Sequence, residues 1–177
     1  MNGILDVDFF DDNEFISTME VLPDDRILIA GYGFTDGDSD FFAARFLADG
    51  AVDLSFGTNG LARFDIDEKQ QTLGAMGIDP NGDLILVGWQ LETVETDALI
   101  VKFTADGQLD PNFDSDGFLL INYGINDQLQ GIYVEDDGGF WAVGQSLETT
   151  HFDVLVTKYL ASGQPDASLD GDGVLRL

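Results

Sequence analysis

Apolar residues in this chain fall in short blocks, each fenced by glycine, proline, asparagine or aspartate. The clearest block is Asp79-Pro-Asn-Gly-Asp-Leu-Ile-Leu-Val-Gly-Trp89, a tight polar turn followed by an apolar run that stops at glycine. It recurs as Leu22-Pro-Asp-Asp-Arg-Ile-Leu-Ile-Ala-Gly-Tyr32 and as Glu135-Asp-Asp-Gly-Gly-Phe-Trp-Ala-Val-Gly-Gln145. The closing glycines stand at 31, 88 and 144, spaced 57 and 56 residues apart. A regular period of this length marks a repeat architecture, in which a unit buries its apolar faces against its neighbours.

With the glycines as anchors, the remainder of each unit aligns. Phe41-Phe-Ala-Ala-Arg-Phe-Leu47 matches Ala98-Leu-Ile-Val-Lys-Phe-Thr104 and Val154-Leu-Val-Thr-Lys-Tyr-Leu160. Ala48-Asp-Gly50 matches Ala105-Asp-Gly107 and Ala161-Ser-Gly163; Phe56-Gly-Thr-Asn-Gly60 matches Phe113-Asp-Ser-Asp-Gly117 and Leu169-Asp-Gly-Asp-Gly173. Each unit holds four β-type runs. The second is apolar on both faces, as a strand buried between layers should be, and a turn joins it to the first as a hairpin. No stretch combines helical apolar periodicity with capping signals. The pattern predicts an all-β fold of the β-propeller type, with three four-stranded antiparallel blades over 15–64, 72–121 and 128–177. Asn2-Gly-Ile-Leu-Asp-Val7 aligns with Asn59-Gly-Leu-Ala-Arg-Phe64, which predicts a spare outer strand over 3–14. Three blades fall short of a usual ring, so either further blades in a longer chain or self-association through exposed blade edges is expected.

These residues resemble the delta-60 repeat family of bacterial β-propeller-like tandem repeats. The resemblance rests on Pro80 to Gly88, Asp40 to Phe46, Ala48 to Asp53 and Phe56 to Gly60, and extends over nearly the whole chain. Departures fall in the third unit: Asp136-Asp-Gly-Gly139 lacks proline, Ala161-Ser-Gly163 replaces Ala-Asp-Gly, and Leu169-Asp-Gly-Asp-Gly173 replaces Phe-Gly-x-x-Gly. The resemblance implies a secreted or surface-displayed bacterial protein and no established catalytic residues.

Composition narrows the chemistry. The chain has 177 residues, 34 acids against 7 bases and a net charge of −27. Such a field repels nucleic acid and anionic membrane, and no apolar run is long enough to enter a bilayer as a helix. The start of the sequence shows no signal-peptide pattern. There is no cysteine, which removes disulfides, thiolate metal sites and thiol nucleophiles. The acidity reads as a solvated surface, as adaptation to high salt, or as carboxylates converging on divalent ions.

Candidate residues follow from the repeat. Arg45, Lys102 and Lys158 occupy one column, with Asp40, Asp97 and Asp153 five positions earlier and Asp53, Asp110 and Asp166 eight later. This predicts structural ion pairs in every blade, the alternative being three cations lining an anion site. Asp36, Asp38 and Asp40 form one acidic run. Asp110, Asp114 and Asp116, then Asp166, Asp170 and Asp172, form a second type, the better placed to hold calcium. None has the EF-hand form, and turns also select these residue types, so calcium is a candidate cofactor and none is required. His151, the single histidine, has no second histidine for a zinc pair, and nothing marks a nucleophile, so no enzyme is expected. The loops between the second and third strands diverge most and carry Tyr32, Phe34, Trp89, His151 and Phe152, the expected ligand-contacting set, or else caps on the blade cores. The predicted role is non-enzymatic recognition or adhesion, binding a glycan or protein through one rim. The alternative is a structural or oligomerising scaffold without ligand.

Overall fold

The computed structural model describes residues 6–10, 12–66 and 68–177, and every helix or strand among them is a strand. Strands β1 (Glu14–Val21), β2 (Ile27–Thr35), β3 (Asp38–Phe46) and β4 (Leu61–Phe64) form an antiparallel meander, unit 1. β5 (Gln71–Ile78), β6 (Leu84–Leu91), β7 (Thr96–Phe103) and β8 (Phe118–Ile121) repeat it as unit 2. β9 (Asn126–Val134), β10 (Phe140–Leu147), β11 (Phe152–Tyr159) and β12 (Val174–Arg176) form unit 3. A single parallel residue pair, Thr96 with Asn126, joins units 2 and 3 into one sheet. No helix among the described residues is long and apolar enough to cross a membrane.

The first strands open on polar residues, at Glu14, Gln71 and Asn126, slightly ahead of the apolar runs. Backbone pairing continues past the last apolar side chain, Gln71 opposite Gln90 and Asn126 opposite Leu147. The spare strand expected over 3–14 lies partly outside the described residues, at 3–5 and 11. Its described part is not a strand before Glu14. The amides of Phe9 and Phe10 both donate to Glu14 Oε1, at 2.8 and 2.9 Å, and both rings pack on Phe42. Consecutive side chains of a strand point to opposite faces, so two neighbours on one ring require a coil.

The recurrent turn is the same in all three units. Asp25, Gly82 and Gly138 occupy the left-handed region, with φ of 65°, 86° and 86°. Their amides donate to Leu22, Asp79 and Glu135 carbonyls at 2.9, 2.9 and 3.0 Å. This tight turn closes each first hairpin. The glycines at 31, 88 and 144 have a different cause. The first strand bulges between Ile16 and Thr18, between Leu73 and Ala75, and opposite the Val143–Gly144 step. Beside each bulge a carbonyl leans on the glycine. A Cβ would meet Phe15 O at 1.9 Å on Gly31, Thr72 O at 2.2 Å on Gly88 and Gln128 O at 1.9 Å on Gly144. The bulges in turn push the first strands together, with Ser17 Oγ donating to Leu73 O at 2.9 Å.

The core lies between units. Leu28, Ala30, Phe41 and Ala43 of unit 1 pack on Leu84, Leu86, Leu99 and Val101 of unit 2. The opposite face of unit 2, with Ile85, Val87, Ala98 and Ile100, packs on Leu129, Phe140, Ala142 and Leu155 of unit 3. Strand alternation sends successive residues of β6 and β7 into these two interfaces, so both faces must be apolar. A plug fastens each interface. Phe56 lies against Gly107 and the Gly57 amide donates to Asp106 O at 2.7 Å. Phe113 lies against Gly163 and the Asp114 amide donates to Ser162 O at 2.9 Å.

Candidate functional site

The cation column builds the polar framework of each unit. Arg45 Nε donates to Asp53 Oδ2 at 2.7 Å, its Nη1 donates to Ala105 O of unit 2 at 2.7 Å, and its guanidinium lies 4.7 Å over the Phe56 ring. The Ser55 hydroxyl and amide, together with Arg45, hold the Asp53 carboxyl down to about 2. Lys158 Nζ sits 2.9 Å from Asp166 Oδ2 and 3.5 Å from Glu135 Oε2. The Ser168 amide and Lys158 hold Asp166 near 2 as well. Lys102 differs. Its nearest partner is Asp79 Oδ2 at 2.9 Å, followed by Asp83 at 3.5 Å and Asp110 at 3.9 Å. The turn acid is a partner that the column spacing missed. Unit 1 has Leu22 at the position of Asp79, and unit 3 has Glu135. Burial drives the Asp79 carboxyl upward, yet Lys102 and the Asp83 and Asn81 amides outweigh it and leave the group below its ordinary value.

The acids five positions before the cations do not join them. An odd spacing on a strand puts the two side chains on opposite faces. Asp40 instead receives Arg63 Nε at 2.7 Å, with Nη2 also in contact, and Asp97 receives Asn122 Nδ2 at 2.8 Å. The three cations all engage carboxylates, so the arrangement is that of structural ion pairs.

The acidic sets separate in the same way. Asp110 Oδ1 accepts the Asn112 amide at 3.0 Å, Asp114 Oδ1 accepts Gln164 Nε2 at 2.8 Å, and Asp116 Oδ1 accepts the Phe118 amide at 3.4 Å. Asp166 and Asp172 Oδ1 accept the Ser168 and Val174 amides at 2.9 and 3.0 Å, while Asp170 takes a left-handed φ of 48°. Asp110, Asp116, Asp166 and Asp172 thus each accept an amide of their own turn, while Asp114 reaches across to unit 3. Among the described residues, the three acids that do converge within 4.8 Å are Asp38, Asp40 and Asp65. Arg63 lies among them, and its Nη2 is 3.6 Å from Asp65. A cavity of about 410 Å³ opens there, lined by Thr35, Asp36, Gly37, Asp38, Arg63, Asp65 and Glu68. Burial raises the Asp40 carboxyl to about 6 against the pull of Arg63. A larger cavity of about 510 Å³ lies between the hairpin turns of units 1 and 2, beside Pro23, Arg26, Arg45, Asp79 and Pro80.

Of the expected ligand-contacting residues, the structure gathers two. Tyr32 and Phe34 meet edge to face, with centroids 6.2 Å apart, and Phe15 of β1 joins both, stacked on Tyr32 at 5.2 Å and edge to face with Phe34 at 6.1 Å. Phe15 is 48% exposed, while Tyr32 and Phe34 are half-buried. Trp89 is half-buried on β6; His151, hydrogen-bonded to the Thr150 hydroxyl at 2.8 Å, and Phe152 are exposed at the start of β11. Among the described residues no ring contact links Trp89 or Phe152 to the trio. The register of the first hairpin, which sets Phe15 opposite Tyr32, is the signal that could have found Phe15.

The fold and its polar framework define an all-β protein of repeated antiparallel meanders. The family model of a domain of unknown function (DUF5122) β-propeller matches residues 22–56 and 80–113. Each match runs from the first hairpin turn of a unit to its plug phenylalanine, Phe56 or Phe113, so units 1 and 2 are similar to that family over the same stretch of the repeat. Comparison with curated proteins finds no match.

Proposed function

We propose that the chain is a non-enzymatic recognition module, built of three propeller blades of the delta-60 repeat type and working outside the cell or on its surface. It holds a glycan or protein through loops at one rim. The aromatic trio of Phe15, Tyr32 and Phe34 carries this reading. Two strands hold it rigidly, Phe15 offers half its surface to solvent, and the acidic loop Thr35–Asp38 follows directly. Aromatic rings flanked by oxygen acceptors suit the apolar face and hydroxyls of a sugar. A glycan-array screen of the wild type, with calcium and with chelator, is the test. The reading expects a signal that Phe15→Ala and Phe34→Ala each reduce by about tenfold, as loss of an aromatic anchor does. An array signal indifferent to both substitutions, or no signal, counts against it. The second reading, an oligomerising scaffold without ligand, is favoured by one observation, the bare sheet face of unit 3.

A further inference from the structure

The units repeat, so each position can be compared with its own counterparts, and two surfaces break the rule. On the outer face of unit 3, Val154 is 52% exposed, while its counterparts Phe41 and Ala98 are fully buried by the following unit. Val143 is likewise exposed where Ala30 and Val87 are buried, and Trp141 is half-buried where Leu28 and Ile85 are buried. On β1 of unit 1, Ile16 is 53% exposed, whereas its counterparts Leu73 and Leu129 lie inside the two inter-unit cores. Met19 is exposed where Met76 is buried. The plug repeats the pattern. Leu169, the counterpart of Phe56 and Phe113, is not buried, and Gly50, the counterpart of Gly107 and Gly163, has no atom within 4 Å of a Cβ built on it. One face is therefore shaped to receive a following unit and the other a preceding unit. Phe9 already packs against unit 1, as Ile66 and Tyr123, its counterparts at the same spacing, pack against the cores of units 2 and 3.

We infer that a second copy of this chain docks head to tail, with the β10–β11 face of unit 3 covering β1 and β2 of unit 1 and Leu169 seated at the Gly50 turn. Taken twice, the contact closes a ring of two copies. The reading of the meanders as propeller blades underlies closure but not the docking contact. The occupant is set by complementarity: the two bare faces are the two halves of a contact that the chain makes twice within itself. A net charge of −27 on each copy opposes association, so salt strengthens it.

Sedimentation velocity on the full chain in high salt tests this, with thermal unfolding showing that each variant folds. Wild type is expected as a dimer. Val154→Lys and Ile16→Lys, both of which bring the net charge closer to zero, are each expected to weaken dimerisation about tenfold or more. A wild-type monomer at high micromolar concentration overturns the inference, as do assemblies larger than a dimer. A dimer that Ile16→Lys leaves intact also overturns it, because a contact of unit 3 on unit 3 would need only Val154. Glycan binding that persists in a monomeric variant separates this outcome from the fate of the recognition reading.

Discussion

Replacing Lys102 by methionine removes an ammonium that faces three carboxylates. The nearest, Asp79, has a side chain only 1% exposed. Methionine keeps most of the length and apolar surface of the stem, so the change isolates the charge. Breaking a buried pair by removing one partner costs about 3–5 kcal/mol, because the other charge is left uncompensated. Two features place Lys102→Met at the lower end. Asp79 Oδ1 still accepts the Asn81 and Asp83 amides at 2.8 and 3.0 Å, and Asp83 and Asp110 reach solvent more than Asp79 does. The expected loss is about 3 kcal/mol at pH 7, or roughly 6–12 °C in Tm for a domain of this size. Urea denaturation followed by tryptophan fluorescence measures it. In the wild type the Asp79 carboxyl lies below its unfolded value of 3.8, so its contribution is present above that pH and fades as pH falls through the folded value. In the variant burial is opposed only by the Asn81 and Asp83 amides, so the Asp79 carboxyl rises from its wild-type value and the gap to wild type narrows below about pH 4. Asp79→Asn added to Lys102→Met should restore more than about 1 kcal/mol. A loss under about 0.5 kcal/mol, or a double variant no more stable than Lys102→Met, would refute the pairing.

Asp40→Asn should raise stability above pH 6 and leave it unchanged near pH 4. Asp40 is an acid whose folded value is raised to about 6, so wild type loses stability as pH rises from the unfolded 3.8 through 6, by an amount on the order of 2 kcal/mol; equal urea midpoints at pH 7.5 would contradict this. Gly88→Ala should cost about 3 kcal/mol, since its Cβ would meet Thr72 O at 2.2 Å and Phe41 Cζ at 2.7 Å, and an unchanged melting curve would remove the bulge as the reason for this glycine. Phe113→Ala should cost about 3–5 kcal/mol by emptying the plug against Gly163, with hydrogen exchange rising first in unit 3; uniform exchange would argue against the plug.

Whatever obeys the period was legible in the sequence. The turn, the apolar run and the closing glycine recur, so the hairpins and the cation column could be read from spacing alone. The cause of the glycines could not, because a carbonyl leaning from a bulge leaves no mark on residue identity beyond the glycine itself. Features confined to one unit were invisible for the opposite reason. Phe15 shares its column with Thr72 and Gln128, and Arg63 shares its column with Leu120 and Arg176, so no repeat singles them out. Asp79 was assigned to its turn, and its second role appears only when β7 brings Lys102 beside it. The acids before the cation column misled because a matching spacing in sequence ignores the two faces of a strand.

The proposed recognition surface lies on unit 1, at the rim where β2 turns into β3. The most direct test is to titrate the labelled chain with a glycan or protein found to bind and to map amide shift changes by NMR. The largest changes should fall on Phe15, Tyr32, Phe34 and the Thr35–Asp38 loop. Changes concentrated at the opposite turns, around Pro23, Arg26 and Pro80, would contradict it.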